Sequence, residues 1–409
     1  MNVFKSKFMA ETNTDKIDEI LNRGVESVIV KESLRNKLLS GQKIRLYFGV
    51  DPTGSVLHLG HAVSLWKLRD FQELGHEVIL LIGDFTAKIG DPSGRDSERK
   101  PLSDSEIKEN FKSYKKQASK ILNFSKVKIK YNSSWLSKLR FVDILKLSSN
   151  FTVQQMMQRD MFQRRFKNNM PISLTEFLYP LMQGYDSVAM DVDLEIAGND
   201  QTFNALAGRE LQKIYNNKEK NVLTCKLLLG TDGRKMSKTY NNFIAIEDDF
   251  IDMYGKVMSI NDELISDYFE LATRIPQEKI KEIKNFPNPR DQKATLAKEI
   301  VELYHGKDKA EIAEREFNKV HSKKEVPDEI EIFLASEDLY PVMDLLCDSG
   351  LSTSRSEAKR LIEGGGVAIE IEKGNWQKIN DWKEKINMDT YNGKVIKVGN
   401  RNFRKIKRK

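Results

Sequence analysis

The 409-residue sequence holds only two cysteines, Cys225 and Cys347, in segments that read as different domains. That excludes a disulfide framework and a cysteine-held metal, and a reducing compartment, the cytoplasm, is the simpler setting. Long apolar runs are missing too. The longest, Val78-Ile79-Leu80-Leu81-Ile82, is far short of the roughly 20 residues that span a bilayer, so no membrane association is expected and the run reads as a buried strand. Residues 1–15 place Lys5, Lys7 and Glu11 among short apolar stretches and lack the continuous core of a secretory signal. Histidine is scarce, at five, and no His or Cys spacing matches a metal cage, so no tightly bound metal is expected.

Charge is abundant. Charged residues make up 31% of the chain and the net charge is +7, which suits a soluble protein with a polyanionic partner, although composition alone does not separate nucleic acid from solubility. Between Gly393 and Lys409 there are eight Lys or Arg residues and no acid, ending in Arg404-Lys405-Ile406-Lys407-Arg408-Lys409. A solvated tail is one reading and contact with RNA phosphates the other.

The chain is too long for one ordinary domain. Lys43 to Val50 has a strand pattern that stops at the turn Asp51-Pro52-Thr53-Gly54. Ala62, Leu65, Trp66 and Leu74 then mark an amphipathic helix closing at Gly75, and Val78 to Ile82 is the next strand. Strand, helix and strand in this order form a βαβ unit of a parallel sheet. Further strands are expected at Val127–Tyr131, Asp193–Ala197 and Val222–Leu229, and none between Asp248 and Ala335, where charged amphipathic segments broken by Pro287-Asn288-Pro289 read as a helical domain. After Pro341, a short helix at Val342–Cys347, a capping box at Ser354-Arg355-Ser356-Glu357, a helix ending at Gly364-Gly365-Gly366 and alternation at Val367, Ile369 and Ile371 indicate a small third domain.

Three groups of residues carry chemistry. His58-Leu59-Gly60-His61 lies where a strand turns into a helix, a position whose open N–H groups and dipole favour an anion. Two imidazoles add donors there, and Gly60 lets a ligand approach the backbone. Lys235-Met236-Ser237-Lys238-Thr239 lies in a polar loop after an apolar strand, where two ammonium groups can clamp phosphates; alone it also fits a solvated basic loop. Tyr179, Gln183 and Asp186 recur at i, i+4 and i+7, a polar stripe flanked by Phe177, Leu178, Leu181 and Met182. Such a stripe is either a hydrogen-bonded structural cluster or one wall of a polar ligand site.

The two signature segments together resemble those of class I aminoacyl-tRNA synthetases. Tyr179, Gln183 and Asp186, with Tyr47 to Thr53, Ile89 to Gly94 and Gly198 to Gln201, resemble the tyrosyl members of that family. The resemblance spans nearly the whole chain, with its sharp motifs between Tyr47 and Thr239. Leu59 stands where isoleucine is commoner and Thr239 where serine is commoner.

The resemblance implies an α/β chain in three parts. These are a Rossmann-type parallel-sheet catalytic domain with a helical insertion (1–240), a helical anticodon-recognition domain (241–335) and a small α+β RNA-binding domain (336–409), of the type shared with ribosomal protein S-four. It implies that Tyr47 and Asp186 bond a tyrosine phenol and that Asp91, Tyr179, Gln183 and Gln201 hold its amino-acid end. Asp51, Thr53, His58, Gly60, His61, Asp200, Lys235 and Lys238 would serve ATP, with His58, His61, Lys235, Lys238 and Thr53 acting in catalysis. Arg355 and Lys359 would face RNA. L-tyrosine, ATP with Mg²⁺ and tRNA(Tyr) are the implied partners, no tightly bound organic cofactor is implied, and the assembly would be a homodimer in which one tRNA contacts both subunits. A tryptophanyl relative and a non-catalytic RNA-binding protein on the same fold are the rivals; a smaller nucleotidyltransferase shares the histidine turn alone.

Overall fold

The run Val78–Ile82 is buried throughout, each side chain at 2% exposure or less, which requires a sheet covered on both faces. A computed structural model, describing residues 10–93, 102–237, 240–322, 330–372, 375–399 and 402–409, contains that sheet. Its strands are β1 (Val25–Ile29), β2 (Arg45–Val50), β3 (Glu77–Ile82), β4 (Val127–Tyr131), β5 (Leu194–Gly198) and β6 (Asn221–Cys225), in the order β1-β6-β5-β2-β3-β4. All neighbours are parallel except β1, which pairs antiparallel with β6 at the edge. Strand order reverses between β2 and β5, and in such sheets ligands bind in the crevice beyond the carboxyl ends at this reversal.

The helix after β2 runs from Leu59 to Glu73 and stops, as its pattern requires, at Gly75, whose φ of +88° is the left-handed conformation glycine tolerates. Between β4 and β5 the chain inserts several helices, the last being Leu174–Met190. Its start carries a reciprocal cap in which Ser173 and Glu176 satisfy each other's ends. Glu176 also forms a buried bidentate pair with Arg165, at 2.6 and 2.9 Å.

The chain packs as two compact units, one made of Met1–Asp249 with Lys256–Tyr304, the other of Phe250–Gly255 with His305–Lys409. The second unit contains a helix at Lys307–Ser322 and strands β7 (Ile332–Ala335), β8 (Leu339–Pro341), β9 (Val367–Glu372), β10 (Asn375–Lys378), β11 (Lys385–Asn387), β12 (Val395–Val398) and β13 (Asn402–Arg408). A five-stranded sheet, β10-β9-β12-β13-β7, packs on the helices Val342–Asp348 and Arg355–Glu363 through a core including Leu345, Leu346, Ile362, Ile369 and Ile396.

Three expectations, and one of the two readings of the basic run, need correction. The strand expected to reach Leu229 ends at Cys225, because Leu229 turns into a bridge with Lys235. β7 lies in the stretch read as free of strands; among the described residues it pairs with β13, some seventy residues away, so no local pattern announces it. The basic run is not a loose tail. It forms β13, with Ile406 fully buried while Lys407, Arg408 and Lys409 face outward. Finally, Ser354 caps its helix by accepting from the Glu357 amide, but Glu357 reaches back to Thr353 rather than to Ser354. Among the described residues no helix is long and apolar enough to cross a membrane.

Candidate active site

Tyr47, Gly49 and Asp51 share one face at the carboxyl end of β2, since alternate strand residues point the same way. Glu195 stands opposite Tyr47 on β5. Tyr47 is 1% exposed, and its hydroxyl lies 3.0 Å from Ser187 Oγ. Burial and then the charge of Glu195 push its phenol well above the ordinary range, so it stays protonated. Asp51 is held by Tyr179, whose hydroxyl donates to Oδ2 at 2.8 Å, and by Thr86, which donates to Oδ1 at 2.7 Å. Gly83 makes this possible, because a Cβ there would lie 2.0 Å from Asp51 Oδ1.

The expected stripe on the Leu174–Met190 helix lines the same floor. Asp186 is 2% exposed and accepts from Trp135 Nε1 at 2.8 Å and from Asn132 Nδ2 at 3.3 Å. Burial raises its carboxyl well above the usual carboxylate range, against those two donors. Gln183 donates to Glu195 at 3.1 Å and accepts from Asn204 at 3.0 Å. Asn204 also bonds Gln201 at 2.9 Å, and Gln201 donates to Asp91 at 2.6 Å. Ser93, whose amide donates to Asp91 at 2.9 Å, takes a 2.7 Å bond from the buried guanidinium of Arg159. These residues thus form two hydrogen-bonded clusters on one floor under the switch point, Asp186 with Asp51 and Tyr179 through Asn132 and Thr86, and Tyr47 with Gln183, Gln201 and Asp91 through Ser187, Lys220, Glu195 and Asn204.

His58 caps the next helix. Its amide donates to His61 Nδ1 at 3.3 Å, and the two ring centres lie 3.8 Å apart with the planes tilted by 36°. Gly60 is needed here for packing as well, since a Cβ would come within 3.0 Å of the His58 ring. The first helical amide, expected to face an anion, is already bonded: Leu59 donates to the Ile244 carbonyl at 3.0 Å. The Leu59 amide is therefore not open to an anion. Lys235 reaches across to Asp200 at 2.9 Å, which joins two of the expected motifs. Its loop is pinned by Asn242, which donates to Asp232 at 2.7 Å and accepts from the Ser237 amide at 2.8 Å. Lys238, Thr239 and Gly94 lie outside the described residues. Thr53 sits in the turn after β2, its amide on the Asp51 carbonyl at 2.7 Å.

Sequence reasoning missed Ser187, Asn132, Trp135, Asn204 and the buried Lys220–Glu195 pair. Ser187 was within reach, because it follows Gln183 by four residues on the same helix face. Lys220 was not: a charged residue before an apolar strand ordinarily marks a surface end, yet Lys220 has no exposed surface. Away from this floor, Arg355 forms an exposed fork on Asp344, both contacts at 2.6 Å, and Lys359 lies 4.5 Å from the Trp382 ring centre. No group of three His, Cys, Asp or Glu side chains that could hold a metal occurs among the described residues.

A parallel sheet with this strand order, a histidine pair at its switch point and a basic loop folded over Asp200 define a class I aminoacyl-tRNA synthetase core. The family described as tRNA synthetases class I (W and Y) matches residues 39–322. Tyrosine–tRNA ligase of Thermotoga maritima is 46% identical over 394 residues, covering 95% of this chain and 96% of its own. That of Haemophilus influenzae is 44% identical, with 95% and 96% covered. Among solved structures, a truncated mitochondrial tyrosyl-tRNA synthetase of Aspergillus nidulans shares the fold at a TM-score of 0.63 and 23% identity, over 75% of this chain and 94% of its own. The enzyme of Archaeoglobus fulgidus, crystallised with L-tyrosine, does so at 0.59 and 24% identity, over 74% and 100%. The chain belongs to the bacterial-type tyrosyl-tRNA synthetases, the tyrosine–tRNA ligases of class I.

Proposed function

We propose how this chain divides the labour of its family's reaction, in which L-tyrosine is activated with MgATP to tyrosyl-adenylate and pyrophosphate and then joined to the 3′-terminal ribose of tRNA(Tyr). Tyr47 and Asp186 bond the phenol, while Asp91, Tyr179, Gln183 and Gln201 hold the ammonium end. Asp51, Thr53, His58, Gly60, His61, Asp200, Lys235 and Lys238 serve ATP. The observation that carries this reading is the buried polar floor itself. Two acidic side chains, Asp186 and Asp91, stand on two hydrogen-bonded clusters whose charges both reach Tyr179, which suits a substrate with polar groups at both ends.

Tyrosine's carboxylate is already ionised, so the first step needs no general base. The rate comes from aligning that carboxylate with the α-phosphate and from holding positive charge where negative charge builds, at His58, His61, Lys235 and Lys238. The test is ATP–pyrophosphate exchange with tyrosine, phenylalanine and tryptophan in turn. Tyrosine is expected to drive it and phenylalanine to drive it at least 100-fold less well, because a buried donor and acceptor are left unpaired; tyrosyl enzymes are themselves the standard example of this effect. Exchange driven by tryptophan alone would overturn the assignment.

We further propose that residues 241–335 serve anticodon recognition and that residues 336–409, together with β7, bind RNA through Arg355, Lys359 and the outward charges of β13, in the cytoplasm. A homodimer is proposed from the helical insertion, which leaves Phe141, Val153, Phe166 and Leu174 between 66% and 79% exposed, far more apolar surface than one short stretch ordinarily leaves in water. Changing Phe166 and Leu174 together to Glu is expected to halve the mass seen in sedimentation equilibrium. An unchanged mass would place the interface elsewhere.

A further inference from the structure

We propose that the buried Lys220–Glu195 ion pair is a positioning unit for tyrosine selection, fixing Tyr47 through Ser187 and Gln183 through the Glu195 carboxylate; this rests on the pocket assignment above. Lys220 is fully buried and Glu195 is 2% exposed. The ammonium pairs with Glu195 Oε2 and donates to Ser187 Oγ at 2.8 Å. An ammonium has no lone pair, so Ser187 accepts from it with one of its two lone pairs, and the Ser187 hydroxyl proton is available to the Tyr47 oxygen 3.0 Å away. Ser187, and through it Tyr47, is thereby held by a group with no exposed surface. Lys220 Nζ lies 5.9 Å from the centre of the Tyr47 ring.

The other arm runs to the ammonium end. A carboxylate only accepts, so the 3.1 Å bond to Glu195 Oε1 fixes which way the Gln183 amide points and turns its oxygen toward Asn204. Asn204 then holds Gln201, and Gln201 holds Asp91. Both ends of the pocket hang on one charge pair. The fold makes room for it: a Cβ on Gly208 would lie 2.6 Å from Lys220 Nζ and 2.9 Å from Ser187 Oγ. A buried ion pair adds little stability over well-packed apolar side chains of equal volume, so stability alone does not account for this one.

The test uses the full-length enzyme in ATP–pyrophosphate exchange, comparing Lys220→Met/Glu195→Gln, Ser187→Ala, Tyr47→Phe and the combination of Tyr47→Phe with Ser187→Ala. The first two are expected to raise the KM for tyrosine by roughly three- to tenfold and to reduce the preference for tyrosine over phenylalanine by a similar factor, the range for one hydrogen bond. The turnover number and the KM for ATP should stay within about twofold, since ground-state and transition-state binding of the phenol weaken together. In the Tyr47→Phe background, Ser187→Ala should add nothing, because no hydroxyl remains to be held. A folded Lys220→Met/Glu195→Gln enzyme with unchanged tyrosine KM overturns the proposal, as does a Ser187→Ala effect that persists undiminished beside Tyr47→Phe. If the double variant does not fold, Ser187→Ala and its combination with Tyr47→Phe decide. Tyr47→Phe with unaltered tyrosine KM and preference would remove the pocket assignment itself, whereas a weakened Tyr47→Phe beside a normal Ser187→Ala removes only the positioning role.

Discussion

Lys235→Ala is expected to slow formation of tyrosyl-adenylate by roughly 10²- to 10³-fold, the usual effect of deleting one preorganised group that meets charge developing in the transition state. Tyrosine affinity should stay within about twofold, because Lys235 makes no contact with the floor that holds the proposed pocket. Its ammonium is bonded to Asp200 at 2.9 Å with the side chain 54% exposed, so solvent reaches it. An exposed pair of this kind stabilises little, and it is readily exchanged for a phosphate. Lys235→Ala should therefore leave the melting temperature nearly unchanged. Single-turnover measurement of adenylate formation, with tyrosine binding followed by equilibrium titration, separates the two quantities. Normal adenylate formation would remove Lys235 from the mechanism, and a large loss of tyrosine affinity would move it from the phosphate side of the crevice to the amino-acid side.

What the sequence made legible follows from how local each signal was. The histidine tetrad sits beside its own strand and helix, and the stripe of Tyr179, Gln183 and Asp186 lies on a single helix. Both could be found from spacing because the 3.6-residue period places their side chains together before any tertiary contact forms. Asp51 meeting Tyr179, 128 positions away, and Lys235 meeting Asp200 depend on the sheet's strand order, which no short window contains. The same reason hid β7 and the Lys220–Glu195 pair. It also bears on the basic run: counting charge left a solvated tail open beside RNA contact, whereas Phe403 and Ile406 bury into the sheet. Ser187 is the one omission that stricter use of the helical period would have repaired.

Asp186→Asn should lower kcat/KM for tyrosine by about 10³-fold or more, with the KM for ATP little changed. Asp186 accepts a bond on each oxygen, from Trp135 at 2.8 Å and Asn132 at 3.3 Å. A phenol bound here would add a third donor and favour the ionised carboxylate in the complex; an asparagine offers one oxygen and one amide nitrogen, so one of those donors must face another donor, and the phenol loses that acceptor. Losing a charge-assisted bond and leaving a buried donor unpaired together cost about 4 kcal/mol, which is the thousandfold given above. Phenylalanine makes neither bond, so its exchange should change far less and the preference for tyrosine should collapse. Stability should move the other way with pH. Burial holds the Asp186 carboxyl above the ordinary carboxylate value of about 4, so above that pH the folded protein binds more protons than the unfolded chain and the wild-type chain loses stability as pH rises toward the folded value. Asparagine has no such proton. The melting temperature of Asp186→Asn minus that of the wild type should therefore increase between pH 5 and pH 8, and a difference that decreases over this range would mean that Asp186 is held as a stable anion by Trp135 and Asn132.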